Sequence, residues 1–384
     1  MKKRKILIVT ERRADFSRFK PVLDKIKKDK KLDYILVVTG IHLLKKYGYS
    51  IDEIKKTKIK IHHQFKMYSN VSVKNDDGAS MVAAFGTAII KLSKILKRYK
   101  PDIVLSGFDI AANFAVTVAA AHMNIPVAHI QGGEVSGTID ESIRHAMSKF
   151  SHYHLVSNRD AYKRLVKMGE KKSKIHIVGC PSIEALFNEK LIPEKNLQKK
   201  FGIDFKKKFI IVIQHSVTTE LNDTKNQIKK TIEAIRESKI QTIFICPNND
   251  AGSTVILKEI KSNKNIFYTP TLTLSEYRSL LGKCFVLMGN SSSGIHEASS
   301  FYKPVINIGT RQNGRMRSKN IIDVPHNKNK ILELLKKMQD NKFNKKLIKN
   351  LRNPYSQPNT SLKILRVLKK INLDQKELQK TITY

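Results

Sequence analysis

Lys5-Ile6-Leu7-Ile8-Val9-Thr10 is a run of strand length with no polar residue among its apolar ones, and that continuity decides the fold. A strand with one wet face alternates polar and apolar side chains, whereas this one needs cover on both faces, as in a parallel sheet sandwiched by helices. Working outward, comparable Val/Ile-rich runs lie at 34–39, 102–106, 127–131, 153–157 and 176–179. The pattern returns at 209–214, 242–246, 265–268, 285–289 and 305–308, each run separated from the next by a longer stretch at helical spacing. The expected class is α/β, with two doubly wound halves.

The chain has 384 residues, room for two domains or slightly more at roughly 150 residues each. Residues 180–205, opened by Pro181 and carrying Pro193, contain no strand-like run and mark the boundary. The expected division is 1–182, then 183–356, with 357–384 as a helix packing back on the first domain. Ile364, Leu365, Leu368 and Ile371 give that helix one apolar face. Because ligands of such sheets bind at the carboxyl ends of the strands, the active site is expected in the cleft between the halves.

Lys and Arg number 72 against 33 Asp and Glu, a net +39. The basic runs, such as Lys27-Lys28, Lys45-Lys46 and 206–208, are short, scattered and without the interleaved aromatics of single-strand binders. Nucleic-acid binding is therefore the weaker reading, and faster capture of an anionic small molecule the stronger one. Three cysteines, Cys180, Cys246 and Cys284, have no C-x-x-C spacing, so neither a disulfide framework nor a zinc site is encoded; no metal or other cofactor is expected, and a reducing cytoplasm fits. Four apolar residues after the basic start are too few for a signal peptide. The most apolar stretch, 110–128, is broken by Asn113, His122, Asn124 and Pro126 and reads as a buried helix, not a membrane span.

Chemistry gathers at the predicted strand ends. After the first strand, Arg13-Ala14-Asp15-Phe16-Ser17 opens a helix, and Arg13 with Ser17 would suit an anion there, although a solvated Arg and a helix cap account for them equally. No G-x-G-x-x-G occurs. The stretch from His129 to His145, containing Gln131-Gly132-Gly133-Glu134, is densest in ionisable groups. Thr138 and Glu141 have capping-box spacing, Asp140 and Arg144 share a helix face, and Glu134 and Asp140 are acid/base candidates. His215 ends the first strand of the second half, with either a structural or a ligand role, and Asn248 occupies a similar end where a turn residue would also sit. Gly289-Asn290-Ser291-Ser292-Ser293-Gly294-Ile295-His296-Glu297 reads as a diphosphate cradle with Glu297 suited to sugar hydroxyls, or as a plain Ser-rich turn; Arg311 adds a cation after the next strand.

Taken in order, these motifs resemble the hydrolysing nucleotide-sugar 2-epimerases, which make N-acetylmannosamine-type sugars for sialic-acid-like nonulosonates. The resemblance covers nearly the whole chain. It implies a GT-B-like fold of two Rossmann-like domains, a homodimer or larger oligomer in a bacterial cytoplasm, a nucleotide-sugar substrate, no cofactor, and no nucleic-acid or membrane partner. It implies elimination of the nucleoside diphosphate across C1 and C2, then addition of water with inversion at C2. By motif, Asp109, Glu134 and Asp140 become acid/base residues and His215 assists the diphosphate or a proton transfer. Arg13, Ser17, His42, Arg144, Asn248, Ser291, Ser292, Glu297 and Arg311 become substrate and nucleotide contacts. The chain departs from many uridine-sugar members where Gly107-Phe108-Asp109-Ile110 replaces Gly-Asp-Arg, and where Gln131 replaces a Glu. The resemblance leans toward the subgroup acting on GDP- or UDP-linked N,N'-diacetylbacillosamine for legionaminic acid. UDP-N-acetylglucosamine as substrate for sialic acid, a non-hydrolysing epimerase, a retaining glycosyltransferase and a polyanion-binding protein are the alternatives.

Overall fold

A computed structural model describes residues 3–69, 76–263, 266–374 and 378–384 of the chain. Its strands are β1 (Arg4–Thr10), β2 (Leu32–Val38), β3 (His63–Gln64), β4 (Ile103–Gly107), β5 (Val127–Ile130), β6 (Tyr153–Val156) and β7 (Ile175–Ile177), followed by β8 (Phe209–Ile213), β9 (Gln241–Ile245), β10 (Phe267–Thr269), β11 (Val286–Gly289), β12 (Val305–Ile308) and β13 (Ile321–Val324). They form two wholly parallel sheets, of order β3-β2-β1-β4-β5-β6-β7 and β10-β9-β8-β11-β12-β13. In each sheet the first strand lies inside and the order reverses beside it, which opens the carboxyl ends of the central strands to a ligand.

The unbroken apolar run of β1 serves two cores at once. Ile6 and Ile8 pack on one face with Phe19, Leu23 and Leu105, while Leu7 and Val9 pack on the other with Leu92, Val104 and Val116. The second sheet repeats the scheme, Ile210 and Val212 meeting Ile232, Met288, Ile306 and Leu335. Each large aliphatic side chain buried this way contributes about 1.5 to 3 kcal/mol.

The chain divides into two compact units. The first comprises 1–135, 139–185 and 355–384, the second 136–138 and 186–354. The return of the C-terminal segment is carried by the helix Thr360–Lys370, whose Ile364, Leu365 and Leu368 enter the first core beside Phe19 and Leu23. Polar contacts pin the crossing: Cys180 N donates to the Tyr355 carbonyl at 2.8 Å, and Glu184 accepts from Ser361 N at 2.7 Å.

Several local expectations change. The predicted helix over 110–128 is the helix Ala111–His122; Asn124 turns left-handed (φ 55°), and Val127 and Ala128 belong to β5. The helix Asp140–Phe150 starts one residue too late for a Thr138–Glu141 capping box, since its N-cap position is Ile139. Asn265, in the expected 265–268 strand, lies outside the described residues, and β10 begins at Phe267. Among the described residues one helix, Gly78–Tyr99, is long and apolar enough to cross a membrane by length and composition, and its Ala84, Ala88, Leu92, Ile95 and Leu96 are packed in the second core of the first unit.

Candidate active site

In the first unit the ionisable residues collect just beyond the carboxyl ends of β1, β4, β5 and β6. Past β4 the backbone takes two left-handed residues in succession, Phe108 (φ 72°) and Asp109 (φ 49°), an uncommon conformation for side chains of this size. The Phe108 ring anchors that turn, edge-on to Phe19 at 4.8 Å and beneath the Arg18 guanidinium at 5.1 Å. The turn directs Asp109 onto Arg144 of the helix Asp140–Phe150, and the two form a close ion pair. Arg144, 2 % exposed, also donates to the Glu134 backbone carbonyl at 2.8 Å. Burial alone would favour loss of its proton, but the charges of Asp109, Glu134 and Asp140 raise its pKa above the ordinary value.

Glu134 reaches this cluster because Gly132-Gly133 lets the chain turn tightly after β5. Gly133 has φ +75°, and a Cβ there would stand 2.6 Å from the Ala161 carbonyl oxygen, so the position requires glycine. The Glu134 carboxylate is 4 % exposed for the residue as a whole, and its Oε1 accepts from Ser157 Oγ at 2.7 Å and Gln131 Nε2 at 3.1 Å. His129, on β5, faces Ser148 Oγ at 3.3 Å, and burial holds its pKa well below the ordinary value.

The end of β1 carries a second network. Thr10 Oγ1 donates to Asp15 Oδ1 at 2.8 Å, so its oxygen accepts from His42 Nε2 at 2.9 Å, and Ser50 Oγ must then donate to His42 Nδ1 at 2.7 Å. Burial, then the Arg13 charge, lower the His42 pKa to about 3, leaving a neutral ring whose tautomer the two hydroxyls fix. Burial pushes Asp15 up to about 6 even though the Glu11 and Arg12 amides and Thr10 donate to it. Arg13 pairs closely with Glu53. Ser17 is turned onto its own helix, its Oγ donating to the Ala14 carbonyl at 2.8 Å.

The second unit gathers its residues around Asn290, directly after β11. Its side chain accepts from His215 N at 2.7 Å and donates to the His215 carbonyl at 2.8 Å, tying the ends of β8 and β11 together. Asn248 N donates to His215 Nδ1 at 3.3 Å, which places the ring proton of the neutral form on Nε2. Arg311 Nη1 approaches the Asn290 carbonyl at 3.4 Å and its Nη2 lies 3.8 Å from Asp250. Ser291 caps the short helix Ser292–His296 by accepting from Ser293 N, and Ser293 Oγ donates to Glu297 at 2.6 Å while in close contact with the Tyr277 hydroxyl. Burial, then the Glu297 charge, keep Tyr277 protonated.

Thus Asp109, Glu134, Asp140 and Arg144 come together in one unit, and His215, Asn248, Ser291, Ser292, Glu297 and Arg311 line neighbouring strand ends of the other. Thr10, Asp15, Ser157, Tyr277 and Asn290 join them without having been singled out from sequence. Asp15 and Asn290 sit inside quoted motifs, whereas Ser157 and Tyr277 carry no local signal.

Two parallel sheets, of seven and six strands among the described residues, each with a polar cluster at its strand ends, define an α/β protein of two doubly wound units, and comparison with known proteins makes the assignment. The chain belongs to the UDP-N-acetylglucosamine 2-epimerase family, which matches residues 24–369, and it is an enzyme of that family. A Legionella pneumophila protein named UDP-N,N'-diacetylbacillosamine 2-epimerase (hydrolyzing) is 36 % identical over 384 aligned positions, covering 99 % of this chain and 100 % of that one. The Campylobacter jejuni GDP/UDP-N,N'-diacetylbacillosamine 2-epimerase (hydrolyzing) is 32 % identical over 84 % of this chain and 85 % of its own. The crystal structure of UDP-GlcNAc 2-epimerase from Neisseria meningitidis bound to UDP-GlcNAc shares the fold, with a TM-score of 0.81, 20 % identity, and coverage of 96 % of this chain and all of that one.

Proposed function

We propose that the enzyme converts GDP- or UDP-linked N,N'-diacetylbacillosamine and water to 2,4-diacetamido-2,4,6-trideoxymannose and the nucleoside diphosphate, supplying legionaminic acid synthesis. The observation that carries the reading is the pair of strand-end carboxylates, Asp109 ion-paired with the buried Arg144, and Glu134 fixed through its side chain by Ser157 and Gln131 and through its backbone carbonyl by the same guanidinium. Proton abstraction beside a weakly acidic carbon needs a fixed base, and the later hydration needs a fixed acid. The two relatives that act on diacetylbacillosamine nucleotides support the sugar.

In the reaction a carboxylate takes the C2 proton, the C1–O bond breaks, and its electron pair leaves on the diphosphate, giving a C1=C2 glucal. Water then adds its oxygen to C1, giving up a proton to a carboxylate, while a carboxylic acid returns a proton to the opposite face of C2. Asp109, Glu134 and Asp140 share these roles. Arg144 and His42 position the sugar half, and His215 donates toward the departing diphosphate through Nε2. Arg13, Ser17, Asn248, Ser291, Ser292, Glu297 and Arg311 hold the nucleotide, and cationic donors there stabilise charge as it develops on the leaving group. The reading includes a homo-oligomeric enzyme.

The test incubates the protein in D2O with UDP-GlcNAc, GDP-GlcNAc and the UDP- and GDP-diacetylbacillosamines, following free nucleotide and the C2 proton by NMR. Free nucleotide with deuterium at C2 of a manno sugar, fastest with a diacetylbacillosamine donor, is the expected result. Fastest turnover of UDP-GlcNAc would move the assignment to N-acetylmannosamine production, and four intact donors would sink it.

A further inference from the structure

Gln131 carries two local costs at one position. It is held in the left-handed region (φ 60°) immediately after β5, where a non-glycine residue is strained. It is also 3 % exposed, and its side-chain carbonyl Oε1 finds no hydrogen-bond partner among the described residues. The orientation of the amide is not ambiguous. Nε2 lies 3.1 Å from Glu134 Oε1, an acceptor, so the nitrogen must face the carboxylate and the oxygen must face away. The backbone is pinned as well, Gln131 N donating to the Leu155 carbonyl at 3.0 Å. A buried amide oxygen without a donor is costly, and one that stands beside a candidate base, on a strained backbone, calls for a partner.

We infer that Gln131 is a bifunctional specificity residue: its amide nitrogen positions Glu134, and its carbonyl oxygen accepts a hydrogen bond from an N–H or O–H of the sugar. A Glu at this position would put a second carboxylate against Glu134 and lose the donor. Gln serves both neighbours, because it presents a donor to the anion and an acceptor to the ligand. Together with Ser157 it fixes one oxygen of Glu134, so the carboxylate is oriented before the sugar binds. The inference rests on the reading of this enzyme as a nucleotide-sugar epimerase.

The experiment compares wild type with Gln131→Met and Gln131→Glu. It measures KM and kcat for the fastest donor, Ki for UDP-glucose, which keeps ring hydroxyls but has no acetamido N–H, and the thermal midpoint. Gln131→Met should raise KM about tenfold or more, as expected for one lost hydrogen bond to a buried acceptor, and lower kcat as well. Gln131→Glu, which keeps an oxygen at the acceptor position, should retain a KM near wild type while kcat falls. If the UDP-glucose Ki is unchanged in Gln131→Met, the donor is an acetamido N–H; if it rises in parallel, the donor is a hydroxyl; either supports the inference. Unchanged KM and Ki in a folded Gln131→Met protein would overturn it, and so would a tenfold KM rise in Gln131→Glu should the Met variant fail to fold. A wild type that releases no nucleotide from any donor would instead refute the underlying functional reading.

Discussion

Arg144 joins two carboxylate-bearing loops through one buried guanidinium, ion-paired with Asp109 after β4 and donating to the Glu134 carbonyl at 2.8 Å after β5. Cutting this link leaves Asp109 without its cation. Arg144→Met should destabilise the first unit by about 3 to 5 kcal/mol, because the charge left behind is poorly solvated. Thermal unfolding would register this as a drop of roughly 6 °C or more. A midpoint within a degree of wild type would mean that the pair contributes no net stability.

Asp109→Asn and Glu134→Gln address the chemistry directly. Each keeps size and most hydrogen bonds but removes a proton acceptor, so kcat should fall at least about a hundredfold with nucleotide affinity largely kept. Steady-state kinetics and nucleotide titration separate the two effects. Near-normal turnover in both variants removes these carboxylates from the mechanism.

Acid stability should depend on Glu170. Burial works against its charge, but His154, which contacts it at 2.9 Å, and Lys380, at 2.6 Å, lower its pKa to about 2 from 4.5. Between those values the unfolded chain binds the proton more readily. The stabilisation is therefore complete above about pH 4.5 and is lost as pH falls toward 2, amounting to roughly 3 kcal/mol. Glu170→Gln should lower the thermal midpoint at pH 7, and the gap from wild type should narrow between pH 4.5 and 3. A gap independent of pH would show that ion pairing is not its source.

Gly289 closes β11 with φ +121°, and a Cβ there would stand 2.1 Å from the Ile213 carbonyl oxygen. Gly289→Ala should destabilise the second unit by about 3 kcal/mol or more, since the obstacle is backbone and the conformation is itself strained for alanine. Equilibrium denaturation followed in that unit checks it. Unaltered stability would mean that the β8 and β11 ends can part without loss.

Much of the fold is legible because a strand buried on both faces leaves an unmistakable mark, and Ile6 to Val9 and Phe209 to Ile213 carry it. β3 is two residues, His63–Gln64, and β13 contains Asp323, so neither offers an apolar run to detect. The proposed acid/base candidates stand out where they cluster in sequence, as from Glu134 to Asp140. Ser157 does not, since it lies 23 residues beyond Glu134 and meets it only because β6 pairs with β5. The burial that shifts Asp15 and His42 likewise comes from packing between β1, β2 and their neighbours, which local sequence does not encode.

The return of 355–384 to the first unit affects how the polypeptide matures on the ribosome. Phe19 and Leu23 complete their core only with Ile364, Leu365 and Leu368, so residues that precede the second unit in the chain belong to the unit finished after it. The intervening 186–354 has its own core and can close first, reversing the usual order in which leading domains fold during synthesis. Until the last helix arrives, the apolar surface at Phe19 and Leu23 stays open to chaperones.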